Sequence, residues 1–98
     1  MVQTSFEWDK QKNLENQEKH GVSFEIAQYA FADPKRIIYK DLDHSTPEET
    51  RYFCLGKIGS QVCTVRFTYR RNRIRIFGAG FWRKERRIYE QRNKTKNR

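Results

Sequence analysis

A chain of 98 residues with 36% hydrophobic content supports one modest core but no deep cleft between domains, which favours a large polymeric substrate over a small molecule. The formal net charge of +9 comes from residues 70–98, which carry twelve Lys and Arg against two Glu, whereas residues 1–69 carry nine against ten Asp and Glu. This imbalance is typical of a protein that binds a polyanion such as nucleic acid, with a solvated basic helix as the alternative. The sequence has no run of 18 apolar residues and no apolar segment after Met1, so we expect a cytoplasmic protein without membrane contact.

The first third of the chain predicts one short strand and two helices. Residues 5–8 fit a brief edge strand, and Asp9 can cap the polar helix that follows. Gly21 suits the left-handed conformation that ends this helix. Ser23 is the next N-cap candidate, and the hydrophobic residues after it recur at helical spacing. They predict a second helix with one buried face, which ends at Asp33-Pro34.

The remainder of the chain predicts strands and a final basic helix. Residues 36–40, 51–58, 61–69 and 73–82 have strand composition, with turns at Gly59-Ser60 and Asn72, and residues 83–93 return to helical composition. We therefore predict an α+β fold in which two N-terminal helices pack on a mostly antiparallel sheet of about four strands, followed by a C-terminal basic helix. Residues 1–92 form the single domain, and residues 93–98 form a basic, disordered tail.

Strand parity places four arginines on one face of the predicted sheet. Arg66 and Arg70 alternate with core residues on one strand, together with Thr64 and Thr68, and Arg73 and Arg75 do so on the next strand. A sheet that is solvated on one face is normal, so these polar residues need no function. Arginine, however, offers a fork for phosphate and a plane for stacking on bases, which favours a functional cationic face.

Short motifs in a fixed order extend from about Phe6 to Glu90: FEWD, KHGVSFE, FADP, DHS, RYFCLG, TYRRNRIRI and RKERRIYE. The set resembles the BrnT family of bacterial type II toxins. The resemblance implies a RelE/ParE-like fold and a ribonuclease that cuts RNA and arrests translation. It also implies neutralisation by a BrnA-like antitoxin with a ribbon-helix-helix portion, so that operator DNA is contacted only indirectly, through the antitoxin.

Two departures from the family pattern bear on catalysis. Family members often carry ISAR after the IRI strand, whereas this chain has FGAG at residues 77–80, so that Gly80 replaces the arginine. The segment EETR is one residue longer than the common EER, which displaces Arg51. The leading hypothesis is an endoribonuclease, and the alternative is a non-catalytic homologue that binds only RNA or antitoxin. A DNA-binding regulator is disfavoured, since the sequence has no visible helix-turn-helix or ribbon-helix-helix pattern.

Metal-free RNA cleavage needs groups that align the ribose 2′-OH with the adjacent phosphate, stabilise negative charge and transfer two protons. We predict that Arg70 and Arg75 stabilise the charge, and that Arg51 assists them. His44 is the best candidate for general acid/base catalysis, because imidazole titrates near neutrality. Asp43, Glu48 or Glu49 would orient it. An exposed loop histidine without function is the alternative.

The other cations are candidates for binding RNA, and Tyr89 adds a ring for stacking: Arg66, Arg71, Arg73, Arg83, Lys84, Arg86, Arg87 and Tyr89. His20 and Tyr69 are expected to be structural. Cys54 and Cys63 form no metal or redox motif, which indicates two buried thiols. No cluster has metal-ligand spacing, so we expect neither a metal nor a cofactor.

Overall fold

The computed structural model describes residues 5–96 and confirms the α+β class. Its elements follow in chain order: strand β1 (Ser5–Trp8), helix α1 (Lys10–His20), helix α2 (Phe24–Ala27) with a 3-10 turn (Gln28–Ala32), strand β2 (Ile37–Lys40), a 3-10 turn (Leu42–His44), strands β3 (Arg51–Ile58), β4 (Gln61–Arg70) and β5 (Arg73–Gly80), and helix α3 (Arg83–Lys96). Helix α3 runs to Lys96, four residues beyond the predicted end of the domain at residue 92. Residues 97–98 lie outside the described part of the chain.

The five strands form one mixed sheet in the order β1-β5-β4-β3-β2. Strands β2 to β5 pair antiparallel, as the sequence predicts. The prediction of about four strands needs correction, because β1 also joins the sheet, as an edge strand parallel to β5. The last strand therefore lies beside the first, and residues 68 positions apart in the sequence become neighbours.

Local sequence signals define the ends of the early helices. The Asp9 side chain accepts a hydrogen bond from the backbone N–H of Lys12, and the Ser23 side chain accepts one from Ile26. Gly21 adopts φ 70° at the end of α1, a left-handed conformation that costs glycine little. The second predicted helix is only one α-helical turn, and it tightens into the 3-10 turn after Ala27.

The main core lies between the sheet and the layer made by α1, α2 and the first 3-10 turn. Phe24, Val65 and Phe67 are fully buried there, and both cysteines lie in the same cluster as free thiols. Burial raises the pKa of the Cys54 and Cys63 thiols to about 12, which confirms their structural interpretation. We call this side of the sheet the helical face.

Helix α3 covers part of the opposite face. Its Tyr89 is buried with Ile37, Leu55 and Val62, and the Tyr89 hydroxyl donates a hydrogen bond to Asp33 at 2.5 Å. Thr64 and Thr68 are also buried, so the prediction that they belong to an exposed ladder is wrong. Helix α3 does not cover the part of this face toward β5 and β1, where the arginines lie.

Candidate nucleic-acid interface

Five arginines lie on the part of the sheet that α3 leaves uncovered, and we call this surface the arginine face: Arg51, Arg66, Arg70, Arg73 and Arg75. Strand register places Arg70 directly opposite Arg73, and Thr68 between Arg51 and Arg75. The prediction that the four arginines of β4 and β5 share one face is confirmed. Arg51, which the longer EETR segment was expected to displace, begins β3 beside them.

Two glutamates hold four of these guanidinium groups. Glu49 forms ion pairs with Arg70 at 2.7 Å and with Arg51 at 3.4 Å, whereas Glu7 contacts Arg75 at 3.2 Å and Arg73 at 3.6 Å. Each carboxylate is thus shared by two guanidinium groups, so the set keeps an excess of positive charge. Because these ion pairs already hold the four guanidinium groups in place, a phosphate that binds here loses less side-chain entropy than one that must order free arginines.

The protonation state of Glu49 follows from these contacts. The hydrogen bond from Arg70 is the main cause that lowers the pKa of the Glu49 carboxyl, and Arg51 adds to the effect. Glu49 therefore remains ionised at neutral pH and keeps both arginines oriented. Glu7 cannot be selected from the sequence, because only the parallel pairing of β1 with β5 brings it to these arginines.

His44 is held by a carboxylate other than the ones expected. Its Nδ1 lies 2.9 Å from Oδ2 and 3.1 Å from Oδ1 of Asp41, so the prediction that Asp43, Glu48 or Glu49 orients the ring is corrected. Asp41 is buried, whereas the His44 side chain is 52% exposed. The pairing leaves Nε2 of the ring free of this contact, so that it can exchange a proton with a ligand.

A network of backbone contacts fixes the loop that carries His44. The Ser45 hydroxyl donates to the Asp41 carbonyl at 2.7 Å and accepts from the Arg51 N–H at 2.8 Å. The Asp41 N–H in turn donates to the Arg51 carbonyl at 2.7 Å. The loop that carries His44 is therefore joined to Arg51, which is the first residue of β3 and a member of the arginine face.

Helix α3 adds further exposed cations to the candidate interface. Arg83, Lys84, Arg86 and Arg87 are all exposed, and within residues 5–96 none of them forms an ion pair. Tyr89 differs from them, because it is only 4% exposed and its hydroxyl is bonded to Asp33. The prediction that Tyr89 contacts RNA is therefore not retained.

The turn between β4 and β5 presents a further arginine. Arg71 and Asn72 both have positive φ, at 53° and 65°, which gives the two-residue turn expected of a tight hairpin. Arg71 is exposed at its tip. Its position next to Arg70 and Arg73 extends the cationic surface beyond the end of the strands.

A bulge in β5 brings an aromatic ring onto the arginine face. Arg66 pairs with Gly78 and Phe67 pairs with Ile76, so Phe77 has no partner on β4. The Arg51 guanidinium lies 4.2 Å from the centre of the Phe77 ring, and the Lys12 ammonium lies 5.9 Å from it. The sequence indicated this bulge only through the glycine that follows Phe77.

Trp82 occupies the space above Gly80. A Cβ atom at position 80 would lie 2.5 to 2.8 Å from three atoms of the Trp82 ring, so a larger residue here requires this ring to move. The ring also meets His20 edge-on, with 5.1 Å between ring centres. The family pattern has an arginine at the position of Gly80, and in this chain the Trp82 ring fills the space that the side chain of that arginine would enter. The sequence predicts a structural role for His20 but does not predict its contact with Trp82.

A separate apolar cleft of about 1020 Å³ opens on the helical face, lined chiefly by Phe6, Tyr29, Phe31, Ile38, Tyr69 and Ile74. Tyr69 has core parity, as expected, and its ring packs on Tyr52 and Phe67. It is nevertheless 52% exposed, because no helix covers this end of the sheet. The cleft lies on the side of the sheet opposite the arginine face.

Within residues 5–96, no group of three or more His, Cys, Asp and Glu side chains is arranged to hold a metal ion. None of the helices in this part of the chain is both long and apolar enough to cross a membrane.

The family model for the ribonuclease toxin BrnT of type II toxin–antitoxin systems matches residues 8–86. The chain belongs to the BrnT toxin family. The match runs from the end of β1 into α3 and includes His44 and all five residues of the arginine face. Membership of a type II toxin–antitoxin family implies a protein antitoxin as partner. No curated protein matches the sequence.

Proposed function

We propose that this BrnT family member is a metal-independent endoribonuclease that cleaves RNA and arrests translation, with the arginine face as its active surface. The observation that carries the proposal is the pairing of four arginines with two glutamates on one sheet face, together with a His44–Asp41 pair on a loop that is hydrogen-bonded to the Arg51 backbone. Fixed cations and a histidine with one free ring nitrogen are the groups that cleavage by an internal 2′-OH requires. The family description as a ribonuclease toxin supports the same reaction.

In the proposed mechanism, the ribose 2′-oxygen attacks the adjacent phosphorus, and the bond to the 5′-oxygen of the next nucleotide breaks. The departing 5′-oxygen takes a proton from solvent water, which is the second of the two proton transfers. Asp41 accepts the Nδ1–H of His44, so that Nε2 can take the proton of the 2′-OH. Arg70 and Arg75 stabilise the extra negative charge on the phosphate oxygens in the transition state. Arg51 orients the phosphate. The products are a 2′,3′-cyclic phosphate and a 5′-hydroxyl.

The exposed cations that surround this centre bind the RNA on either side of the cleavage point. Arg66, Arg71 and Arg73 border the centre on the sheet, and Arg83, Lys84, Arg86 and Arg87 extend the surface along α3. A BrnA-like antitoxin with an acidic segment would compete for the same cations, because both ligands need the same charge complement. Contact with operator DNA would then occur only through the ribbon-helix-helix portion of that antitoxin.

Single-turnover cleavage of a model RNA in the presence of EDTA tests this mechanism. We expect cleavage to continue with EDTA and to yield cyclic phosphate ends, and we expect a 2′-deoxy nucleotide at the cleavage site to abolish it. His44→Gln should lower the rate and flatten its pH dependence near neutrality. Loss of cleavage with EDTA, or cleavage of the 2′-deoxy substrate, would contradict the mechanism.

One observation favours the alternative of a non-catalytic binding homologue. Trp82 fills the space above Gly80, so the arginine that relatives often carry there has no counterpart at the same backbone position. Tight binding of the model RNA by the parent protein, with no cleavage over long incubation, would support this alternative.

A further inference from the structure

We propose that Phe77 and Trp82 form a pocket for one unpaired base of single-stranded RNA, beside the arginine face. The pocket has a volume of about 270 Å³ and also contains Lys12, Lys19 and Arg66. The inference rests on the proposed function only in that RNA is the ligand. It concerns how the strand is held and not how it is cut.

The Trp82 ring is a fixed platform. Three of its atoms lie over Gly80, where a Cβ would clash, and its edge contacts the His20 ring. These contacts hold one side of the indole, while 37% of the residue remains exposed. A preorganised aromatic ring loses little entropy when a base stacks on it, and every base offers a face for such stacking.

The floor of the pocket is open because Gly78 has no side chain. A Cβ at this position would have as its nearest neighbours Asn16 Oδ1 at 3.8 Å and Arg66 Cδ at 4.0 Å. Asn16 is itself committed to the backbone, since it bonds to the carbonyls of Val22 and Ala79 and to the Ala79 N–H. The residues below the pocket are therefore fixed, and the space above Gly78 is available to a ligand.

The charges around the pocket favour a base that remains attached to its phosphates. Lys12 and Lys19 project from α1 and Arg66 from β4, and among the described residues none of the three forms an ion pair. Glu15 is the single carboxylate that lines the pocket. Aromatic rings with unpaired cations around them are the combination that binds single-stranded nucleic acid.

The pocket is continuous with the arginine face. Arg66 belongs to both surfaces, and Phe77 contacts Arg51. Arg66 and Arg70 are four residues apart on β4, which is roughly 13 Å along a strand. A strand of RNA with its phosphate at Arg70 and Arg75 can therefore place a base further along the strand against Trp82.

The fluorescence of Trp82 provides a direct test. The chain contains two tryptophans, so Trp8→Phe leaves Trp82 as the sole emitter. The probe is a 2′-O-methyl pentanucleotide, which lacks the nucleophilic hydroxyl and is not cut. We expect saturable quenching of Trp82 by this probe, and much weaker quenching by an abasic oligonucleotide of the same length.

Binding by variants separates stacking from charge. Trp82→Leu should weaken binding of the pentanucleotide by roughly 5- to 150-fold and leave binding of the abasic oligonucleotide unchanged, because stacking contributes only when a base is present. Trp82→Phe should recover most of the affinity. Tyr29→Leu is the matched control, since Tyr29 is an exposed ring on the helical face. Melting curves establish that each variant is folded.

The possible results distinguish this inference from the proposed function. No quenching in the folded Trp8→Phe protein, or equal affinities of the parent and Trp82→Leu proteins for the pentanucleotide, would overturn the base pocket. If the parent protein nevertheless cleaves RNA, the proposed function stands without it. Base-dependent quenching in a protein that does not cleave RNA would support the pocket and refute the nuclease.

Discussion

Replacement of Arg70 by alanine should separate stability from catalysis. The Arg70 side chain is 44% exposed and pairs with Glu49 at 2.7 Å. Exposed ion pairs contribute about 0.2–1 kcal/mol to the free energy of unfolding. The arginine face has no helix over it, so the shorter side chain opens no cavity, and Glu49 retains Arg51. We therefore expect a fall in Tm of at most about 4–8 °C.

The effect of Arg70→Ala on the rate should be much larger. Loss of one group that stabilises transition-state charge typically costs about 2.7–4 kcal/mol, which corresponds to roughly 10²–10³ in rate. Single-turnover cleavage of a model RNA at saturating protein measures this step without a contribution from binding. Growth arrest on induced expression should be lost in parallel.

Arg36→Ala is the matched control for this experiment. Arg36 is exposed and lines the cleft on the helical face, so its removal changes the net charge equally without touching the arginine face. We expect its cleavage rate to stay close to that of the parent protein. A folded Arg70→Ala protein that cleaves at the parental rate, or an equal loss in Arg36→Ala, would refute the assignment of Arg70.

Three further measurements test other parts of the structure. Gly56→Ala should lower the free energy of unfolding by about 1–3 kcal/mol, because the new Cβ would lie 2.8–2.9 Å from buried backbone atoms of Ala30. Gly78→Ala is the control and should leave Tm nearly unchanged, because its Cβ would have no neighbour closer than 3.8 Å. Chemical unfolding should become easier as pH rises from 9 towards 12, because the Cys54 and Cys63 thiols ionise in the unfolded chain first and their folded pKa is about 12. The logarithm of RNA affinity should fall with the logarithm of salt concentration by about 0.7 per phosphate contacted, and a variant that lacks one cation of α3 should show a shallower slope.

The features that could be predicted from the sequence are those fixed by neighbouring residues. The caps at Asp9 and Ser23, the left-handed Gly21 and the hairpin at Gly59 all depend on interactions within a few positions, and all of them are observed. The common face of Arg66, Arg70, Arg73 and Arg75 follows from the alternation of side chains in two strands joined by a two-residue turn.

The features that were missed depend on residues far apart in the sequence. A four-residue strand carries no signal of direction, so the parallel pairing of β1, and with it the Glu7 contacts, was not predictable. Helix α3 is strongly basic, and only its Ile88 and Tyr89 mark a side that packs on the sheet. For this reason the sequence predicts Tyr89 as a ligand contact and does not predict the burial of Thr64.

The pairing of the first strand with the last has a consequence for the order of events during synthesis. Glu7 is made before its partner Arg75, which follows 68 positions later. Strand β1 has no neighbour in the sheet until β5 has left the ribosome, because β5 is its sole pairing partner among the described strands. Contacts of such long range form late in folding. Arg73 and Arg75 therefore acquire their contacts with Glu7 only after β5 has emerged and paired with β1, so this part of the arginine face is the last to assemble.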